Sequence, residues 1–167
     1  IAFLFSTAPV FSQVVALDFD GVNDQVVVTG NSSLSPTKIT LETWMYAKSF
    51  SSSPCADCAP IIWHQGKGYR FGTGSGAGVD VQFFDGSSTT TLKSSITLST
   101  NAWHHLAVTY DSAMIKMYID GSLTDSVAAT FTLNYSSKGA DVWIVDPATG
   151  YGGTLEETRT WNYARNF

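Results

Sequence analysis

The chain has 167 residues, of which 44% are hydrophobic, 13% aromatic and only 14% charged, with a formal net charge of −5. That length suits one domain with a sizeable core, while the charged fraction falls well below the roughly 25% of an ordinary soluble domain. Lys and Arg form no cluster, which argues against nucleic acid as a partner. No apolar run approaches the roughly 20 residues of a membrane span, and the abundance of Ser, Thr, Gly and Asn favours strands and turns over helices.

Residues 1–12 (IAFLFSTAPVFS) are apolar and end in small residues. Val10 and Ser12 fit the −3 and −1 positions of a signal-peptidase site, so this stretch reads as a signal-peptide remnant, with an extra edge strand as the alternative. Residues 13–167 are then the domain proper, and more protein is expected to follow Phe167. From Val15 the pattern alternates with period two: Val15, Leu17 and Phe19 share a face, and Asp20 to Asp24 (DGVND) turns the chain. Residues 25–29 form a second strand. Residues 38–47 form a longer one, with Ile39, Leu41, Thr43 and Met45 on one face and Trp44 and Tyr46 on the other, as in a strand covered on both sides over part of its length.

Cys55 and Cys58 lie in a proline-flanked loop. No helical pattern follows them as a redox C-x-x-C would require, and no second ligand pair exists for zinc, so they read as a small disulfide pinning an exported loop. Strand patterns follow at 61–64 and 69–71. The glycine-rich stretch 72–78 lacks the Lys-Ser/Thr and helix of a phosphate-binding loop and reads as a connector. Residues 79–84 alternate again and Asp85-Gly86 turns. Residues 102–110 and 114–119 are the clearest strand pair, and Asp120-Gly121 carries the strongest hairpin signal, because both positions tolerate the positive φ of a type I′ turn. Strands at 123–127, 142–145 and 154–161 complete the series, and no amphipathic helix longer than about two turns is found. Short strands separated by turns at intervals of roughly 8–12 residues predict an all-β fold, a two-sheet antiparallel β-sandwich of the jelly-roll kind.

Four segments, in order, carry a family resemblance: LDFDGVND at 17–24 with VVV at 26–28, ITLETW at 39–44, WHHLAVTYD at 103–111 running on to MYIDG at 117–121, and GTLEETRTWN at 153–162. Together they resemble the laminin-G-like jelly-roll family of the concanavalin A-like lectin/glucanase superfamily. The chain departs from that pattern at Glu156 and Thr158, where the family carries Asp and Val, and at VWIVDP (142–147). Trp44 and Trp103 read as core anchors between the two sheets. His104 and His105 are expected on opposite faces of one strand, Tyr110 and Tyr118 at the sheet end, and Arg159, on the same strand face as Glu157, in an internal ion pair or a backbone clamp.

An enzyme of this superfamily would be a glycoside hydrolase with an acid and a nucleophile roughly 5 Å apart. The acid ladder is broken, since Asp18 and Asp20 are followed by Val22. Adjacent Glu156 and Glu157 are expected on opposite faces, and Asp80 and Asp85 are the remaining weak pair. No catalytic residue is assigned. The expectation is a non-catalytic binding or adhesion module, secreted or at the cell surface, whose partner is a glycan or an extracellular protein. Asp20, Asn23 and Asp24 either cap their own turn or contribute to a calcium site; the resemblance, which places calcium where first and last strands meet, would bring Glu156 or Glu157 to it. Trp63, Tyr69, Trp143 and Tyr151 neighbour irregular loops and could line a glycan site, with a spacer or protein-adhesion module lacking any small ligand as the competing reading. Asn31 and Asn134 head glycosylation sequons that matter only in a eukaryotic source.

Overall fold

The computed structural model describes residues 16–50 and 59–167, with the backbone alone at Ser75. The remnant at 1–12 and the pair Cys55 and Cys58 lie outside the described residues. Twelve strands are found among those described: β1 (Leu17–Asp20), β2 (Val26–Val28), β3 (Ile39–Ala47), β4 (Ala59–His64), β5 (Tyr69–Thr73), β6 (Gly78–Phe84), β7 (Thr89–Thr97), β8 (Trp103–Tyr110), β9 (Met114–Ile119), β10 (Ser122–Ala128), β11 (Val142–Ile144) and β12 (Gly152–Trp161). The only helical pieces among them are 3₁₀ turns at Ser32–Leu34 and Ser75–Ala77.

The strands form two six-stranded antiparallel sheets. Sheet A has the order β1-β12-β3-β8-β9-β10, and sheet B the order β2-β11-β4-β5-β6-β7. The outermost strands β10 and β7 approach each other, and the Ser95 amide donates to Asp125 Oδ2 at 3.0 Å. Alternation decides what lies between the sheets. Ile39, Leu41 and Met45 of β3, Leu106 and Val108 of β8, and Ile115 and Met117 of β9 face inward from sheet A. They meet Ile62, Phe71, Val81 and Phe83 of sheet B, all fully buried. Each such side chain contributes roughly 1.5–3 kcal/mol on leaving water.

Turn chemistry agrees with the residues. Asp120 and Gly121 hold φ of 52° and 77°, as the type I′ hairpin between β9 and β10 requires. Asp85 and Asp111 cap their own turns through backbone amides of Ser87 and Ser88, and of Ala113 and Met114. β7 is a strand that the sequence pattern does not announce. Its run TTTLKSSIT is exposed or half-buried throughout, as suits an edge strand.

Two expectations fail, each for its own reason. Trp44 and Trp103 do not anchor the core; they are 38% and 41% exposed, on the outer face of sheet A. Met45 and Leu106 hold the inward positions instead, and strand alternation sends each indole outward. Second, Glu156 and Glu157 do not part to opposite faces. Trp44 opposes Glu156 and Glu42 opposes Arg159, so β12 carries one residue more than β3, a bulge where Glu157 takes φ 49°. Thr158 turns inward to Thr43 Oγ1 at 2.8 Å, which leaves both glutamates beside Trp44 and Trp103.

Candidate functional site

Across the outer face of sheet B the registers align one row of side chains: Val27, Trp143, Trp63, Arg70, Gln82 and Thr91. Each central member lies between buried neighbours, such as Arg70 between Tyr69 and Phe71, so alternation directs the row to solvent. Trp63 and Trp143 meet edge to face, with centroids 5.6 Å apart at 76°. The Arg70 guanidinium lies over the Trp63 ring at 5.3 Å, and the Lys67 ammonium over Phe84 at 4.6 Å.

Between them lies a cleft of about 200 Å³, walled by Trp63, Lys67, Arg70, Gln82, Phe84 and Thr89 and floored by Gly68 and Tyr69. Gly68 shapes that floor. It holds φ 88°, and a Cβ there would fall 2.1 Å from the Tyr135 ring. Below, His64 is fully buried; its Nδ1 accepts from the Gly66 amide at 3.1 Å, so its Nε2–H is left to donate to Ser35 Oγ at 3.1 Å. Burial holds the His64 pKa below the usual imidazole value.

Of the four aromatics expected at a glycan site, the structure brings Trp63 and Trp143 together, leaves Tyr69 at the cleft only as part of its buried floor and places Tyr151 elsewhere. Tyr69 is 2% exposed and donates its hydroxyl to the Leu34 carbonyl, whereas Tyr151 is 4% exposed and donates to the Tyr46 and Thr154 carbonyls. Burial pushes both phenol pKa values well up. They are structural tyrosines and offer no open ring face. Lys67, Arg70, Gln82 and Phe84 were not singled out from the sequence. The signal existed for Arg70, because Tyr-Arg-Phe in a strand sends Arg to the face opposite its aromatic neighbours.

The five expected calcium ligands do not converge. Asp20 opposes Gly152 in the β1–β12 ladder, and Glu156 lies four residues further along β12, roughly 13 Å at strand rise. Glu157 is engaged by Arg159 at 3.0 Å, an ion pair rather than a backbone clamp, and one exposed on the sheet face rather than internal. Within the turn, Asp24 Oδ2 accepts from the Asp20 amide and Asp20 Oδ1 from the Val22 amide, both at 2.8 Å. Among the described residues no group of three or more His, Cys, Asp or Glu is placed to hold a metal.

The histidine pair separates as expected. His104 faces Asp120 Oδ2 and Ser99 Oγ, both at 2.9 Å, while His105 turns outward against Trp44, with centroids 5.1 Å apart.

A two-sheet antiparallel sandwich with aromatic rings set on its outer faces defines a lectin-like jelly roll. The chain belongs to the Laminin_G_3 family of the Concanavalin A-like lectin/glucanases superfamily, whose model it matches over residues 20–166. No curated protein matches it. Among solved structures it is similar to the binding domain of Paraclostridial Mosquitocidal Protein 1 (TM-score 0.67, 14% identity, 93% of this chain and 44% of that one). It is similar also to the native heptameric SAP-like pentraxin from Limulus polyphemus (0.64, 12%, 92% and 78%). A third is the binding domain of Botulinum neurotoxin DC in complex with SialylT (0.68, 14%, 95% and 41%), a domain also solved with rat synaptotagmin II. The chain spans less than half the length of the two toxin domains. At these identities the likeness is one of fold.

Proposed function

We propose that this domain is a non-catalytic binding module that takes a saccharide on the outer face of sheet B. The observation that carries the reading is the Trp63–Trp143 pair standing at a cleft edged by Arg70, Gln82 and Thr89. Indole faces receive the apolar face of a sugar ring, and guanidinium, amide and hydroxyl groups hydrogen-bond its hydroxyls. The cleft is smaller than the roughly 300–1,000 Å³ of drug-type pockets, which fits one ring or a chain end. Lys67 adds a cation and favours sugars bearing carboxylate or sulfate. That one toxin domain of this fold is held in complex with SialylT and with synaptotagmin supports a binding role. The test is an oligosaccharide screen followed by titration of the wild type and of Trp63→Ala.

A protein partner is the second reading, favoured by Val27 on β2, 49% exposed beside Trp143. We also propose export, with Cys55 and Cys58 joined; two alkyl groups added to unreduced protein would refute that disulfide. Calcium enters only at the Asp20 to Asp24 turn, through Asn23 and the carboxylate oxygens its own amides leave unused, Asp20 Oδ2 and Asp24 Oδ1.

A further inference from the structure

We propose that the outer face of sheet A carries a separate site for an alkylammonium group, formed by Trp44, Trp103 and Glu156. These three, with Glu157, line an open depression of about 420 Å³. Trp44 opposes His105 across the β3–β8 ladder and Trp103 opposes Tyr46, so the two indoles are diagonal neighbours on one face. Each is steadied by its cross-strand ring, Trp44 by His105 and Trp103 by Tyr46 at 5.6 Å. Glu156 opposes Trp44 from the other side.

Charge decides the ligand class. Around the depression, the carboxylates of Glu42, Glu156 and Glu157 face the guanidiniums of Arg159 and Arg165. Arg165 is taken by Glu42 at 2.6 Å, and Arg159 by Glu157 at 3.0 Å. Lys48, further along the face, is matched to Asp18 at 2.9 Å. Three carboxylates against two guanidiniums leave one negative charge, and of these three it is Glu156 that has no ion pair with any described residue. Desolvation lowers the His105 pKa, so the ring beside Trp44 is neutral near pH 7 and does not oppose a cation.

One unpaired carboxylate beside two partly exposed indoles suits a soft, weakly hydrated cation, which π-faces attract and a carboxylate neutralises. A hard metal ion needs six to eight oxygen ligands, which this face does not assemble. An anionic ligand would meet the uncompensated Glu156. The far end of the face is closed by the chain's last residues, where Phe167 packs on His105 and Tyr118, with centroids at 5.9 and 5.0 Å. The ammonium group could belong to a choline-type headgroup or to an amino sugar.

Choline, glucosamine, and the uncharged counterparts 3,3-dimethylbutan-1-ol and glucose are titrated separately into the whole protein, with the tryptophan indole N–H resonances followed by NMR. The proposal expects saturable shifts of the Trp44 and Trp103 signals with one or both ammonium probes and at least about tenfold weaker response to the neutral ones. Glu156→Gln is expected to lower ammonium affinity several-fold with an unchanged thermal midpoint; Trp44→Ala is expected to lower that affinity too, with Trp44→Phe partly restoring it. Wild-type spectra alone suffice should Trp44→Ala not fold. Equal binding of neutral and charged probes would overturn the proposal, as would indifference to Glu156→Gln or no saturation by tens of millimolar probe. Because Trp63 and Trp143 lie on the opposite sheet, failure here leaves the saccharide reading standing.

Discussion

Arg165 reaches back over the outer face of sheet A and holds Glu42 through Nη1 at 2.8 and 2.6 Å to its two carboxylate oxygens. Glu42 is 1% exposed and also accepts from Trp161 Nε1 at 2.9 Å. The Arg165 amide and the Tyr163 carbonyl both bond Thr40 Oγ1, so this segment is stitched to β3 at two adjacent outward positions. Arg165→Ala therefore leaves a buried carboxylate short of its main partner. The expected loss is about 3 kcal/mol, read as a lower urea midpoint with an unchanged m-value. A change below about 0.5 kcal/mol would mean that Arg159, 3.6 Å from Glu42, suffices alone.

Acid should weaken the fold from just below neutral pH. Burial holds the His64 and His105 pKa values down in the native state, while an unfolded imidazole takes its proton near pH 6.5. Below that pH the unfolded chain binds protons that the native chain refuses, so stability falls as pH drops through and below the ordinary imidazole range. Hydrogen bonding holds Asp18, Asp85 and Asp111 low instead, chiefly from Lys48, Ser88 and Met114 in turn. Their contribution is lost only around and below the ordinary carboxylate range. His64→Gln should flatten the fall of thermal midpoint across the imidazole range, and an unchanged slope would sink the assignment.

Gly68→Ala is expected to destabilise by at least about 2 kcal/mol, since it adds left-handed strain to an overpacked contact with Tyr135. The cost should appear in denaturant melts, together with altered ligand response at the cleft floor. A neutral effect would show that Tyr135 yields freely.

If the Asp20 to Asp24 turn binds calcium as proposed, millimolar Ca²⁺ raises the thermal midpoint and EDTA reverses it. A hundredfold excess over Kd adds about 2.7 kcal/mol. Asp24→Ala removes the rise. A midpoint indifferent to both additions would take calcium out of the account.

The sandwich was legible because period-two alternation and turn residues act locally: Asp120-Gly121 and the inward series Ile39, Leu41, Met45 needed no knowledge of distant partners. The site was less legible. Trp44 and Trp103 carry no mark that says which sheet face is inner, and a large indole in an apolar strand suggests the core. Glu156 and Glu157 were misplaced because a bulge depends on the partner strand's register. Tyr69 and Tyr151 neighbour loops in sequence, yet the sheets close over both. Arg70 and Gln82 join Trp63 only through pairing of β4, β5 and β6, a long-range fact.

The most direct measurement is titration of a saturating saccharide, neutral or acidic, against the wild type, Trp63→Ala and Trp44→Ala, read by calorimetry. The account predicts that Trp63→Ala weakens binding at least tenfold, about 1.4 kcal/mol, while Trp44→Ala leaves it unchanged. For an acidic saccharide, Lys67→Ala should weaken binding a few-fold, an effect that added salt diminishes. Saccharide binding that is indifferent to Trp63→Ala, or a broad screen with no saccharide bound at all, would contradict it.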